Sequence, residues 1–108
     1  MTTSPSGPAG VTEVRVTEVP GDGYLLDVRE VAEWVEGHPP AAVLIPMSTI
    51  VARVDEIPRD RRVHVICRSG NRSGQVAAWL RAQDHDAVNV VGGMIDWAAA
   101  GLPVVAGE

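Results

Sequence analysis

Short apolar runs alternate along this chain with stretches whose apolar residues recur every third or fourth position. Residues 11–19 alternate apolar and polar around Val14 and Val16, which predicts a short edge strand. Pro20-Gly21-Asp22-Gly23 reads as a turn, and the apolar run 24–28 as a strand. Residues 30–36 place Val31, Trp34 and Val35 at helical spacing, a short amphipathic helix ended by Gly37. Residues 41–45 form a third strand, stopped by Pro46. Residues 48–57 set Ile50, Val51 and Val54 on one face of a second helix, with Ser48 or Thr49 as its cap. After the charged turn 58–62, residues 63–67 read as the central strand. A helix over 73–83 turns Val76, Trp79 and Leu80 inward; a last strand covers 87–91, and a last helix covers 94–100, ended by Gly101. Strands that are near-continuous apolar runs, alternating with helices, predict an α/β fold: a central, mostly parallel five-stranded sheet with helices on both faces.

Composition narrows the choice. A chain of 108 residues makes one domain, and at this size it buries roughly 65% of its unfolded surface. Apolar residues are 45% of the chain, but there is no Phe and one Tyr, so the core is aliphatic. The net charge of −5 argues against nucleic acid as a partner, and no apolar segment approaches the length of a membrane span. Residues 1–10 are small, polar and rich in Pro and Gly; they are expected to be a disordered tail and lack the apolar centre of a secretory signal. One cysteine excludes an internal disulfide and a cysteine-based metal site within one chain. His38, His64 and His85 are not spaced as metal ligands, so no metal and no cofactor is expected. A free thiol suits a reducing compartment, and the cytoplasm is the expected location.

The chemistry concentrates in Cys67-Arg68-Ser69-Gly70-Asn71-Arg72-Ser73. A lone cysteine on a strand is usually a small buried hydrophobe. Here it closes the central strand and faces the start of a helix, whose free N–H groups favour thiolate and attract an anion. Arg68 and Arg72 stand in the same loop. In open parallel sheets ligands gather at the carboxyl ends of the strands, where Cys67 lies. Arg59, Arg61 and Arg62 precede the same strand and fall at the opposite edge, as a solvated turn. Asp27 and Arg29 end the second strand on the Cys67 side; they either border the pocket or form a structural ion pair with Glu30, Glu33 or each other. Met94 and Trp97 are candidates for the pocket rim, because Gly92-Gly93 follows a strand end.

Cys-x4-Arg-Ser with a glycine between resembles the active-site loop of the rhodanese-type sulfurtransferases. Two further stretches match in the family's order: Leu25-Leu26-Asp27-Val28-Arg29-Glu30 with Glu33-Trp34, Glu36-Gly37-His38 and Ile45-Pro46, and then Val91-Gly92-Gly93-Met94 with Trp97 and Ala100-Gly101-Leu102-Pro103-Val104. The resemblance spans roughly residues 11–105. It implies a single rhodanese-like domain there and a thiosulfate sulfurtransferase activity. Cys67 would be the catalytic nucleophile, carrying sulfane sulfur as a persulfide. Arg68, Ser69, Gly70, Asn71, Arg72 and Ser73 would bind the substrate, with the loop N–H groups around the outer sulfur. His38 falls where hydrogen bonding to the backbone is expected. The implied partners are a small anionic sulfur donor and a thiol or cyanide acceptor, with a sulfur-accepting protein as a further candidate. Pro39 and Ala41 replace an apolar residue and a glycine of the usual pattern, and Asp84-His85 replaces Gly-aromatic; these changes bear on stability. Cysteine phosphatases use a related loop but need five residues between Cys and Arg, and this loop has four. The remaining alternative is a non-enzymatic or partner-dependent persulfide carrier or regulatory module.

Overall fold

The apolar runs pair with one another as parallel strands. The structure, a computed structural model, describes residues 11–108, so the expected tail over 1–10 lies outside the described residues. Strands β1 (Glu13–Val14), β2 (Tyr24–Asp27), β3 (Val43–Leu44), β4 (Val63–Ile66) and β5 (Ala87–Val90) form one sheet in the order β1-β5-β4-β2-β3. Every pairing is parallel. Helices α1 (Val31–Glu36), α2 (Asn71–Ala82) and α3 (Gly93–Ala99) complete the fold.

Alternation along the strands sends side chains to two faces. Leu26, Val63, Val65, Cys67 and Ala87 share one core with Val76, Ala77 and Leu80 of α2 and with Ile50 and Ile57. Leu25, Ile66 and Val90 share the other with Val16 and with Trp97 of α3. Burying side chains such as Leu26, Val65 and Leu80 contributes about 1.5–3 kcal/mol each. The chain passes outward from β2 to the edge strand β3, returns to the centre at β4, and continues to β5 on the other side. That reversal between β2 and β4 opens a crevice at their carboxyl ends. Val28 donates its N–H to the Ile66 carbonyl at 3.0 Å there, so the two ends stay in register.

Three elements differ from their sequence expectation. The strand over 11–19 shrinks to Glu13–Val14, followed by a 3-10 turn, Val16–Glu18. The Glu18 carboxylate accepts the Arg15 N–H at 2.7 Å and pulls the chain off the sheet edge. The helix over 48–57 is instead two 3-10 turns, Met47–Thr49 and Val54–Glu56. Thr49, Ile50, Val51 and Val54 are β-branched and poor at sustaining α-helix. Neither expected cap forms: the Thr49 hydroxyl donates to the Pro46 carbonyl and the Ser48 hydroxyl to the Glu30 carboxylate. Val51 therefore leaves the common face and is 68% exposed. In α1, Val31 and Val35 are exposed, and only Trp34 turns partly inward, stacked on the His38 ring at 3.5 Å. Gly37 ends α1 with extended backbone, Gly101 follows α3 at φ 73°, and Asp84 takes a left-handed φ of 69° after α2.

The C-terminal segment returns across the molecule. His38 and Val105 exchange backbone hydrogen bonds at 2.8 and 2.9 Å, and Gly107 donates its N–H to the Val35 carbonyl at 2.8 Å. No helix among the described residues is long and apolar enough to cross a membrane.

Candidate active site

Cys67 follows β4 directly and is 1% exposed. Its sulfur sits inside the loop that leads into α2. The Gly70 N–H donates to Sγ at 3.2 Å, the Ser73 N–H at 3.3 Å, and the Ser73 hydroxyl lies at 3.2 Å. Burial alone pushes the thiol pKa up. The hydrogen bonds from the Ser73 hydroxyl and from the N–H groups of Ser73, Gly70 and Ser69 outweigh it, leaving the pKa below the ordinary thiol value. The thiolate is thus favoured chiefly by backbone and hydroxyl donors rather than by the loop arginines.

Two glycines make this ring possible. Gly70 stands at φ 98°, a left-handed conformation that glycine adopts without a Cβ penalty. Gly93, at φ 54°, opens α3 directly against the loop: a Cβ there would lie 2.6 Å from the carbonyl carbon and oxygen of Arg68. The approach lets the Met94 N–H bond the Cys67 carbonyl at 2.9 Å and the Ile95 N–H bond the Arg68 carbonyl at 3.1 Å. The first turn of α3 draws these carbonyls outward, which leaves the N–H groups of the loop free to converge on the sulfur.

The arginines diverge. The Arg68 guanidinium is exposed and has no partner among the described residues. Arg72 forms a two-pronged pair with Glu33 of α1, both contacts at 2.8 Å. The Arg72 hydrogen bonds bring the Glu33 carboxyl down to about 2, and Glu33 raises the Arg72 pKa in turn. Arg72, expected to face the donor, thus has its charge engaged by a carboxylate. Ser69 and Asn71 are exposed, while Gly70 and Ser73 are buried.

Of the partners expected for Asp27 and Arg29, the structure pairs them with each other. Arg29 donates through Nε and Nη2 to the Asp27 carboxylate at 2.8–3.1 Å and also reaches the Gly37 carbonyl at 2.7 Å. Both are buried, and together they tie the end of β2 to the end of α1. His38 donates from Nδ1 to the Trp34 carbonyl at 2.9 Å, the backbone bond expected of it. Trp97 donates to the Pro103 carbonyl and lines an apolar cavity of about 300 Å³ under α3 that no residue of the 67–73 loop borders. Among the described residues no cluster of His, Cys, Asp and Glu could hold a metal.

Sequence reasoning passed over Asn89. It is fully buried on β5, its amide nitrogen donates to the Gly70 carbonyl at 3.0 Å, and its amide oxygen lies 2.6 Å from the Ser73 hydroxyl. The signal was there: Asn89 is the one polar residue in the run Ala87-Val88-Asn89-Val90-Val91.

A buried sulfur ringed by N–H groups at the carboxyl edge of a parallel sheet defines a cysteine-based anion cradle. The chain belongs to the rhodanese-like domain family, whose model matches residues 14–100. It is 48% identical over 88 residues to a sulfurtransferase of Allochromatium vinosum, covering 81% of this chain and 82% of that one. It is 45% identical over 74 residues to the putative sulfurtransferase YtwF of Bacillus subtilis, covering 68% and 72%. The crystal structure of a rhodanese-related protein from Thermoplasma volcanium superposes with a TM-score of 0.82 at 30% identity, covering 87% of this chain and 97% of that one. These likenesses mark a sulfurtransferase-type rhodanese domain.

Proposed function

We propose that this protein transfers sulfane sulfur through a persulfide on Cys67, taking it from an anionic donor of the thiosulfate class and passing it to a thiol or cyanide. The observation that carries the reading is the ring of donors on Sγ, from Gly70 and Ser73, in a loop whose first two carbonyls, of Cys67 and Arg68, are bonded to α3. The thiolate attacks the outer sulfur of thiosulfate. The sulfur–sulfur bond of the donor breaks, its electron pair leaves with sulfite, and a new sulfur–sulfur bond on Cys67 holds the charge at its outer atom. The acceptor then attacks that outer sulfur, and Cys67 is restored as thiolate.

The N–H groups of residues 68–73 are the donors available to the outer sulfur, as they would be to an oxyanion. Arg68, exposed and without a partner among the described residues, is the loop cation we assign to meet an incoming dianion, and Arg72 contributes a charge already shared with Glu33. Ser69 and Asn71 are exposed in the same loop. A single thiol that must stay reduced suits a reducing compartment, and we place the activity in the cytoplasm.

The burial of Cys67 favours a second reading, in which a sulfur-accepting protein collects the persulfide and free small acceptors turn over slowly. Intact mass after incubation with thiosulfate tests the first step. A gain of about 32 Da, removed by a reducing thiol and absent from Cys67→Ser, is expected of covalent catalysis at this residue. No gain with thiosulfate, mercaptopyruvate or a protein persulfide would end the proposal. Loading without turnover on cyanide or small thiols would favour the carrier.

A further inference from the structure

Behind the sulfur lies a buried polar chain that the transfer chemistry does not by itself require. Asn89 is a fully buried polar residue on the β5 face that Ala87 shares and α2 covers, in the strand beside β4. Its hydrogen bonds fix which way its amide points. Both protons of Nδ2 are spent, one on the Gly70 carbonyl at 3.0 Å and one on the Glu13 carboxylate at 3.1 Å. Oδ1 is therefore the atom that meets Ser73, 2.6 Å from its hydroxyl. The Ser73 hydroxyl has one proton and two acceptors, this oxygen and Sγ at 3.2 Å.

We infer that Asn89 is a positioning residue for Cys67, which holds the Ser73 proton away from the sulfur until the sulfur is ionised. With Cys67 as a thiol, S–H donates to Ser73 Oγ, and Oγ–H donates to Asn89 Oδ1. When the proton leaves for solvent, the Ser73 hydroxyl can serve the thiolate only by giving up its bond to Asn89. Once a second sulfur is attached, the charge sits on the outer atom among the loop N–H groups, and the hydroxyl returns to Asn89. Asn89 thus sets the bare thiolate at a disadvantage that the persulfide does not share. The Gly70 turn that aims its N–H at the sulfur has a second anchor, because the Gly70 carbonyl also accepts the Gly74 N–H at 3.2 Å, so it does not depend on Asn89 alone. The step involving the persulfide rests on the function proposed above; the sharing of the Ser73 proton does not.

The test is the pH dependence of Cys67 alkylation by iodoacetamide in the full chain, which needs no sulfur donor. The charged groups on the elements around the sulfur are Arg68 of the loop, Arg72 and Arg81 of α2, Glu33 and Glu36 of α1, Glu13 of β1, Asp27 at the end of β2 with its partner Arg29, and Asp96 of α3, with His64 the titratable group of β4. None of these changes in the variants used. Asn89→Leu releases the Ser73 hydroxyl to the sulfur and is expected to lower the alkylation midpoint by about one pH unit, a tenfold gain in thiolate well below it. Ser73→Ala raises the midpoint. In the Ser73→Ala background, Asn89→Leu no longer lowers it. Should Asn89→Leu fail to fold, Asn89→Ser, too short to reach Ser73, carries the same expectation. An unchanged or raised midpoint in the Asn89 variant, or a fall that persists without the Ser73 hydroxyl, overturns the inference. A protein that shows the expected midpoints but never gains sulfur would refute the sulfurtransferase reading and leave this one standing.

Discussion

Replacing Glu33 by Gln keeps the shape of the α1–α2 contact and removes only its charge. The ordinary carboxyl value is 4.5, and beside Arg72 it falls to about 2. That difference corresponds to roughly 3 kcal/mol between the two protonation states. The Glu33 side chain is 31% exposed, so solvent screening leaves about 1–2 kcal/mol of stability from the pair at neutral pH. The sign follows from the depressed folded-state value: the contribution is complete above the unfolded carboxyl pKa and is lost as pH falls from about 4.5 toward about 2. Urea unfolding followed by tryptophan fluorescence at pH 7 and pH 3 measures it directly. Glu33→Gln is expected to be about 1–2 kcal/mol less stable than the parent at pH 7, with about half of that gap gone at pH 3. Equal gaps at the two pH values, or none at pH 7, would refute the argument that Glu33 holds Arg72 as an ion pair.

Arg68→Ala is expected to raise KM for thiosulfate at least about tenfold, the loss of one hydrogen bond to a charged group, with little change in kcat; steady-state kinetics that show an unchanged KM would remove Arg68 from donor binding. Gly93→Ala puts a Cβ against the Arg68 carbonyl in a left-handed conformation. A stability loss of about 1–3 kcal/mol is expected in urea, together with slower sulfur loading by mass; a variant matching the parent in both would show that the loop tolerates displacement. Asp27→Ala strands the buried Arg29 guanidinium and is expected to cost about 3–5 kcal/mol, read as a fall in the urea midpoint; a loss below about 1 kcal/mol would indicate that Arg29 finds another partner or reaches water.

The strands were legible because a strand in a covered parallel sheet is apolar on both faces, so residues 24–28, 63–67 and 87–91 read as apolar runs, each interrupted by a single polar residue. The reactive loop was legible because its glycine, cysteine and serine are local to each other. What misled was periodicity without burial. Val31 and Val35 repeat at helical spacing, yet α1 is too short and peripheral to bury them. Ile50, Val51 and Val54 also fit a helical face, but their branching and the Thr49–Pro46 bond break the segment into 3-10 turns. The pairing of Arg72 with Glu33 was not legible because the two lie 39 positions apart and only the folded chain joins them. Asn89 carried no meaning until Gly70 and Ser73, on a different element, were placed beside it.

The C-terminal strap gives the molecule a mechanical handle. Val105 and Gly107 are bonded to His38 and to Val35, and Val35 sits on the helix that presents Glu33 to Arg72. Tension applied beyond Gly107 is transmitted along that helix toward the loop holding the sulfur. A purification tag or fused neighbour joined to this end by a short, taut linker therefore tugs on the mouth of the sulfur site, and a slack linker of glycine and serine leaves it undisturbed.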